Sequence, residues 1–307
     1  MLNIVGKRYW YFGLSLFIIV PGMIAIALWG FPLAIDFTGG SLLEVRLEGG
    51  DIPQPAQVVE LYNDLEVKDA LVQSIGDDEL SIRSKAIDEA MMNTVKASLE
   101  DRFGTEVTVL RFESVGPSVG AEVAERAAGA VGLATIGILG YITYAFRGIP
   151  NAIRFGVAAI IAMLHDVLVV VGVEAILGHF LGWEVDALFL TALLTVIGFS
   201  VHDSIVVFDR IRENQRIYRR LPFETLVNHS IVQTLDRSIN TQLTVMLVLT
   251  ALLLFGGVTT RHFVTILLIG VFSGTYSSIF NAAPILVVWE NREWRTWFRP
   301  RRSADAM

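Results

Sequence analysis

Stretches of about 20 consecutive apolar residues recur along this 307-residue chain, and they limit the possible folds more than any other feature. Roughly that many helical residues cross a hydrocarbon core of ~30 Å. The chain is 53% hydrophobic and only 18% charged, against about 25% charged in an ordinary soluble domain. Within a bilayer a segment must satisfy its own backbone N–H and C=O groups, so these runs read as helices. Six spans are expected, at 10–31, 124–146, 153–177, 187–208, 240–255 and 263–289. Lys7 and Arg8 before the first run suggest a signal peptide, but the run is long and lacks a small-residue cleavage site. The first span is therefore expected to be retained.

The net charge of −7 conceals a segregation that bears on topology. Acids concentrate between Asp36 and Glu125. Basic residues fall on alternate connections: Lys7 and Arg8, Arg147 and Arg154, the group Arg210, Arg212, Arg216, Arg219 and Arg220, and Arg292 to Arg302. Only Arg261 dissents. By the positive-inside rule both termini are expected to be cytoplasmic, and the 32–123 insert outside, in the periplasm. A basic cytoplasmic tail is expected over 290–307. With no cysteine and five scattered histidines, the sequence excludes disulfides and makes a metal cluster unexpected. No Walker-type glycine loop is present, so no nucleotide, cofactor or nucleic-acid role is expected, and any work done would draw on an ion gradient.

The insert reads as a compact α+β unit. Leu43, Val45 and Leu47 alternate with Glu44 and Arg46, as in a strand with one buried face. A helix carrying Val59, Tyr62 and Leu65 follows Pro53 and Pro55. Two strands, 70–75 and 79–83, are joined through Gly76, Asp77 and Asp78. Ile87, Met91, Val95, Leu99 and Phe103 mark a second helix, and 106–112 a last strand. The β-α-β-β-α-β order fits a ferredoxin-like sandwich. The fold expected for the whole chain is thus an all-α polytopic membrane bundle with an inserted α+β ferredoxin-like domain. Lacking histidine, the insert shows no catalytic arrangement; its expected role is contact or movement, and the chain is not read as an enzyme.

Polar residues inside the apolar runs are the candidates for function. Asp203 lies in the fourth span, where a mid-membrane aspartate costs on the order of 3 kcal/mol. It either packs as a neutral acid bonded to hydroxyls or changes protonation during function. Burial favours the neutral form and a nearby cation the carboxylate, and Arg237 is the natural cation. On a helix Arg237, Thr241 and Thr244 share one face. An interfacial arginine snorkelling to phosphates is the alternative. His165 and Asp166 in the third span point about 100° apart, so they are expected on different faces. A hydrogen bond to the fourth span and direct proton handling are equal alternatives for that pair. His202 beside Asp203 could relay protons or be neutral. Gly270, Gly274, Ser277 and Asn281 form a small-residue packing face on the sixth span, and Gly129, Gly137 and Gly140 another on the second.

Several segments, taken in order, resemble the SecF branch of the SecD/SecF protein-export family, within the resistance-nodulation-division superfamily. They are Ile35-Asp36-Phe37-Thr38-Gly39-Gly40, Val115-Gly116-Pro117-Ser118-Val119-Gly120, His165-Asp166, and Asp203-Ser204-Ile205-Val206-Val207-Phe208-Asp209-Arg210-Ile211-Arg212-Glu213-Asn214. Gln233-Thr234-Leu235 with Arg237 and Asn240-Thr241, and Tyr276-Ser277-Ser278-Ile279, complete the set. The resemblance implies pairing with SecD beside the SecY, SecE and SecG channel, often with YajC, and use of the proton-motive force (sodium in some members) to draw a preprotein out on the far side. It implies that Asp203 is a proton-pathway carboxylate with Arg237 as partner, and that a further aspartate comes from SecD. Asp36 with Gly39 and Gly40 matches the family's motif joining the first helix to the outer domain, and Gly116, Pro117 and Gly120 belong to the matching segment before the second helix. Where many members have Asn and Tyr, this chain has His202 and Phe199. With no SecD portion fused, a separate-subunit form is expected. A small-molecule or lipid exporter of the same superfamily and a purely structural membrane subunit are the alternatives.

Overall fold

A computed structural model of the protein describes residues 2–48, 53–75, 78–148 and 152–295. Leu33–Gly129 forms one compact unit, and the flanking chain up to Pro32 and from Ala130 forms the other.

In the first unit the helical turn α2 (Ile35–Thr38) leads into β1 (Gly40–Glu48), followed by α3 (Pro55–Asp64), β2 (Leu71–Ile75), β3 (Glu79–Ser84), α4 (Glu89–Phe103) and β4 (Glu106–Val115). The strands pair in the order β2-β3-β1-β4, every neighbour antiparallel. That order is what a ferredoxin-like sandwich requires. Leu43, Val45 and Leu47 all point into the core, with Leu80, Ile82 and Val107 from neighbouring strands. Against them α3 sets Val58, Leu61 and Tyr62, and α4 sets Met92, Val95 and Leu99. Of the expected face of α3, Tyr62 is fully buried and Val59 and Leu65 pack partly buried against the same core, with Val58 and Leu61 added to it. Asp88 caps α4 by accepting from Met91 N at 2.8 Å, and Gly104 closes it in the left-handed region. The expected turn at Gly76 and Asp77 lies outside the described residues.

The two glycine motifs meet inside this unit. Gly40 pairs with Val115 where β1 begins and β4 ends. Gly39 has φ +72°, and a Cβ on it would lie 2.7 Å from Pro117 Cα. A Cβ on Gly120 would lie 2.7 Å from Gly39 N. Gly116 has open space around it, so the crossing itself does not require its glycine.

In the second unit, α1 (Arg8–Trp29) is followed after the insert by α5 (Pro117–Ala145), which starts in the first unit. Then come α6 (Ala152–Leu181), α7 (Ala187–Ile217), α8 (Phe223–Phe255), α9 (Val258–Ser277), a π-helical turn (Ser278–Ala282) and α10 (Ala283–Glu290). Among the described residues, six segments are long and apolar enough to cross a membrane. The expected fourth and fifth spans cover only the apolar parts of α7 and α8: α7 runs on to Ile217 and α8 begins at Phe223. Hydropathy misses these extensions because they are amphipathic. Their inner faces bury Ile211, Asn214, Leu226, Val227 and Ile231 while charges face outward. The expected tail beyond residue 295 lies outside the described residues.

The helices α6, α7 and α9 form the buried centre, with α1 packed on α6. Close approach is made by small residues. Gly22 of α1 crosses Gly172 of α6 so tightly that a Cβ on either would come within 2.6 to 2.8 Å of the other's Cα. On α9 a Cβ at Gly270 would overlap Val196 of α7, and one at Gly274 would lie 3.3 Å from Ser200 Cα. By contrast, Cβ atoms at Gly129, Gly137 and Gly140 of α5 would meet nothing. Beside Leu133, Ile136 and Tyr144, α5 leaves its apolar surface open, and so does α8 at Leu247, Val248 and Leu254.

Gly39→Ala puts a methyl into a glycine-only conformation and against Pro117, a cost of roughly 1–3 kcal/mol. Hydrogen exchange of β1 and β4 amides in the full-length protein should quicken by about tenfold or more, since 1.4 kcal/mol is a factor of ten. Unchanged protection would show that the glycine crossing does not hold the sheet.

Candidate functional site

Four helices of the second unit, and the π-helical turn after α9, bring their carboxylates and hydroxyls to one buried layer. Asp203, near the middle of α7, is 4% exposed. Its Oδ1 accepts from Ser238 Oγ of α8 at 2.8 Å and its Oδ2 from Ser278 Oγ of the π-helical turn at 2.6 Å. Asp166 of α6 is fully buried. Ser273 Oγ donates to its Oδ1 and Ser277 Oγ to its Oδ2, both at 2.6 Å. Adjacent serines, 277 and 278, therefore serve two different carboxylates. A regular α-helix points neighbours about 100° apart, and the π turn starts at this junction. π turns are frequent at functional sites.

The chemistry of the donors matters as much as their number. A hydroxyl can donate or accept, so it serves a carboxylate and a carboxylic acid alike. Ser278 Oγ also lies 3.1 Å from Thr275 O, and Ser277 Oγ 3.3 Å from Gly274 O. When Asp203 takes a proton, the Ser278 hydrogen can turn to Thr275 O while its oxygen accepts from the acid. Around this layer Ser200, Ser204 and Gln242 are buried, and Ser200 Oγ, Ser204 Oγ and Gln242 Oε1 lack a partner among the described residues. Among those residues no three histidines, aspartates or glutamates gather as metal ligands would.

The remaining sequence candidates divide. His165 Nδ1 lies 3.0 Å from Asp166 Oδ1, so these neighbours do meet; both side chains reach sideways round the helix. The expected hydrogen bond from this pair to the fourth span runs instead to the last helices, through Ser273 and Ser277. Arg237 lies on the exposed face of α8 with Thr241 and Thr244, while its neighbour Ser238 turns inward to occupy Asp203. No ion pair joins Arg237 to Asp203 among the described residues. His202 is exposed and turned away from Asp203's partners. Asn281 Nδ2 donates to Ser15 Oγ at 2.9 Å, tying the last helices to α1. Sequence reasoning passed over Ser238, Ser273 and Ser278 as site residues; hydroxyls facing a carboxylate on another helix carry no local signal. It also passed over Glu174, fully buried on α6 and bonded to His262 of α9. A glutamate three residues from the end of the expected third span, 153–177, looks interfacial in sequence.

Ser277→Ala removes one donor from a buried carboxyl. Reversible unfolding in detergent should show a loss of roughly 1–3 kcal/mol, and Ser277→Thr should restore part of it. A neutral Ala variant would mean that Asp166 does not depend on this hydroxyl.

Comparison with known proteins follows the same lines. Residues 94–292 match the family described as protein export membrane protein SecD/SecF, C-terminal, and residues 25–50 match the SecD/SecF GG motif. The chain is 60% identical over 300 residues to the protein translocase subunit SecF of Anaerolinea thermophila, covering 97% of each. To the SecF subunit of Thermobaculum terrenum it is 49% identical, again over 97% of each. The crystal structure of SecDF, a translocon-associated membrane protein from Thermus thermophilus, superposes with a TM-score of 0.80 at 33% identity, over 95% of this chain and 39% of that one.

Proposed function

This chain belongs to the SecD/SecF family of protein-export membrane proteins, on its SecF side, and from that premise we propose that it couples proton movement to preprotein export together with SecD. The supporting observation is the hydroxyl-lined carboxylate layer. Two acids, Asp203 and Asp166, are buried where charge is expensive, and both are bonded to groups that tolerate either protonation state. A residue meant only to pack would be cheaper as leucine.

SecD is the partner this reading requires. The SecDF structure from Thermus thermophilus holds both halves in one chain, of which this chain matches 39%. The open apolar faces of α5 and α8 suit a second bundle, and Arg237 lies on α8's open face. In this reading Arg237 acts across that junction, drawing near Asp203 in one stage of the cycle and leaving it to Ser238 and Ser278 in another. One charge crossing 100 mV is worth about 2.3 kcal/mol, enough to bias such a two-state junction. The proposed orientation has both termini in the cytoplasm of a bacterial inner membrane and the ferredoxin-like unit in the periplasm. The channel formed by SecY, SecE and SecG, with YajC, supplies the emerging preprotein. Protons are the proposed ion, because hydroxyls bonded to each buried carboxyl suit both its protonated and its ionised form.

Asp203→Asn keeps the size and hydrogen bonding of the side chain and removes its titration. In vesicles holding this chain, SecD and the channel, gradient-driven release of a trapped preprotein should fall to the level seen with the gradient collapsed, with the complex still assembled. Unchanged release would rule out ion coupling through this residue.

A further inference from the structure

Glu174 lies on α6, eight residues past Asp166 and so about 12 Å along the helix axis. Its side chain is 0% exposed. Oε2 is 3.0 Å from His262 Nε2 of α9, while Oε1 is buried without a hydrogen-bond partner among the described residues. His262 is 18% exposed, so one partner is sealed and the other reaches the surface of the bundle. Trp183 packs on the imidazole with ring centroids 4.6 Å apart, and Phe189 stands on its other side at 6.5 Å. The pair sits at the end of the bundle where α1 finishes, since Trp29 stacks on His179 of α6 at 4.0 Å.

The titratable and charged groups around the pair are few. His179 of α6 is taken up with Trp29. Arg261, before His262, is exposed. On the connection to α7, Glu184 has a partner of its own, and Asp186 caps α7 by accepting from Phe189 N at 2.7 Å. In α1 the span from Trp10 to Trp29 carries no Asp, Glu, Lys, Arg or His, and α8 has none beyond Arg237. The next carboxylates inward are Asp166 and Asp203.

We propose that Glu174 and His262 form a second proton-binding site, an exchange port between the outer aqueous phase and the Asp166–Asp203 layer. This rests on the proton-coupling reading and orientation above. A proton from outside binds the exposed side of the His262 ring. The Nε2–H bond then breaks as the Oε2–H bond of Glu174 forms, leaving a neutral imidazole and a neutral acid. The acid releases its proton inward to water and returns to the carboxylate. Asp166 lies beyond the reach of one hydrogen bond, so this last transfer needs intervening water. A hydrogen bond serving only to lock α6 to α9 would need no titration, and glutamine would supply it equally well.

Two measurements test this. In the full-length protein in nanodiscs, nitrogen NMR of labelled histidine should show the pH response of the His262 ring altered in Glu174→Gln relative to the wild type, because its Oε2 partner can no longer take up a proton. In vesicles with SecD and the channel, Glu174→Gln should slow gradient-driven release about fivefold or more and flatten its dependence on outer pH, and Glu174→Asp should recover part of both. A Gln variant that keeps the His262 titration, the rate and the pH profile would overturn the port and leave a lock. Asp203→Asn in the same vesicles separates the two readings: if it spares release, the coupling reading fails, whatever His262 shows.

Discussion

A carboxyl group held in a low-dielectric interior can persist only if something compensates it, and here the compensation comes from hydroxyls on other helices. Asp203 draws on Ser238 and Ser278, and Asp166 on Ser273 and Ser277. A buried charge bonded to a fixed cation would be locked in one state. Hydroxyls impose no such choice, since each can reverse its hydrogen. The layer thus keeps both acids buried among groups able to donate or accept, which is the arrangement the proposed proton coupling requires.

The packing of α9 follows from this requirement. Gly270 and Gly274 let α9 lie close against Val196 and Ser200 of α7, where Ser273 and Ser277 meet Asp166 of α6 and Ser278 of the following turn meets Asp203. Where the π turn begins, Ser278 presents its hydroxyl to Asp203 while Ser277 before it serves Asp166. Interfaces built from small residues also slide with little penalty, so the contacts that hold the layer permit its rearrangement. In the other unit, a four-stranded sheet is pinned at its entry and exit by the crossing of Gly39 with Pro117 and Gly120.

Much of this architecture was legible in the chain because periodicity reports burial. Leu43, Val45 and Leu47 announced a half-buried strand, and the apolar runs announced six spans. What stayed hidden was relational. The polar inner halves of α7 and α8 have low hydropathy and were read as connections, although Leu226, Val227 and Ile231 trace a buried stripe. Asp203 stood out, but the cation beside Ser238 drew attention from Ser238 itself; charge is conspicuous in sequence, and a hydroxyl is not. The meeting of Gly22 with Gly172 and of Glu174 with His262 joins residues far apart along the chain, and no local pattern encodes such pairs.

Infrared difference spectroscopy of the protein in lipid, taken across pH, reads the central claim directly. A protonated carboxyl band that vanishes in the Asp203→Asn protein should appear as pH falls within the range in which export is driven. Were that band present at every pH, or absent at every pH, the acid would hold one ionisation state throughout and the account would be contradicted.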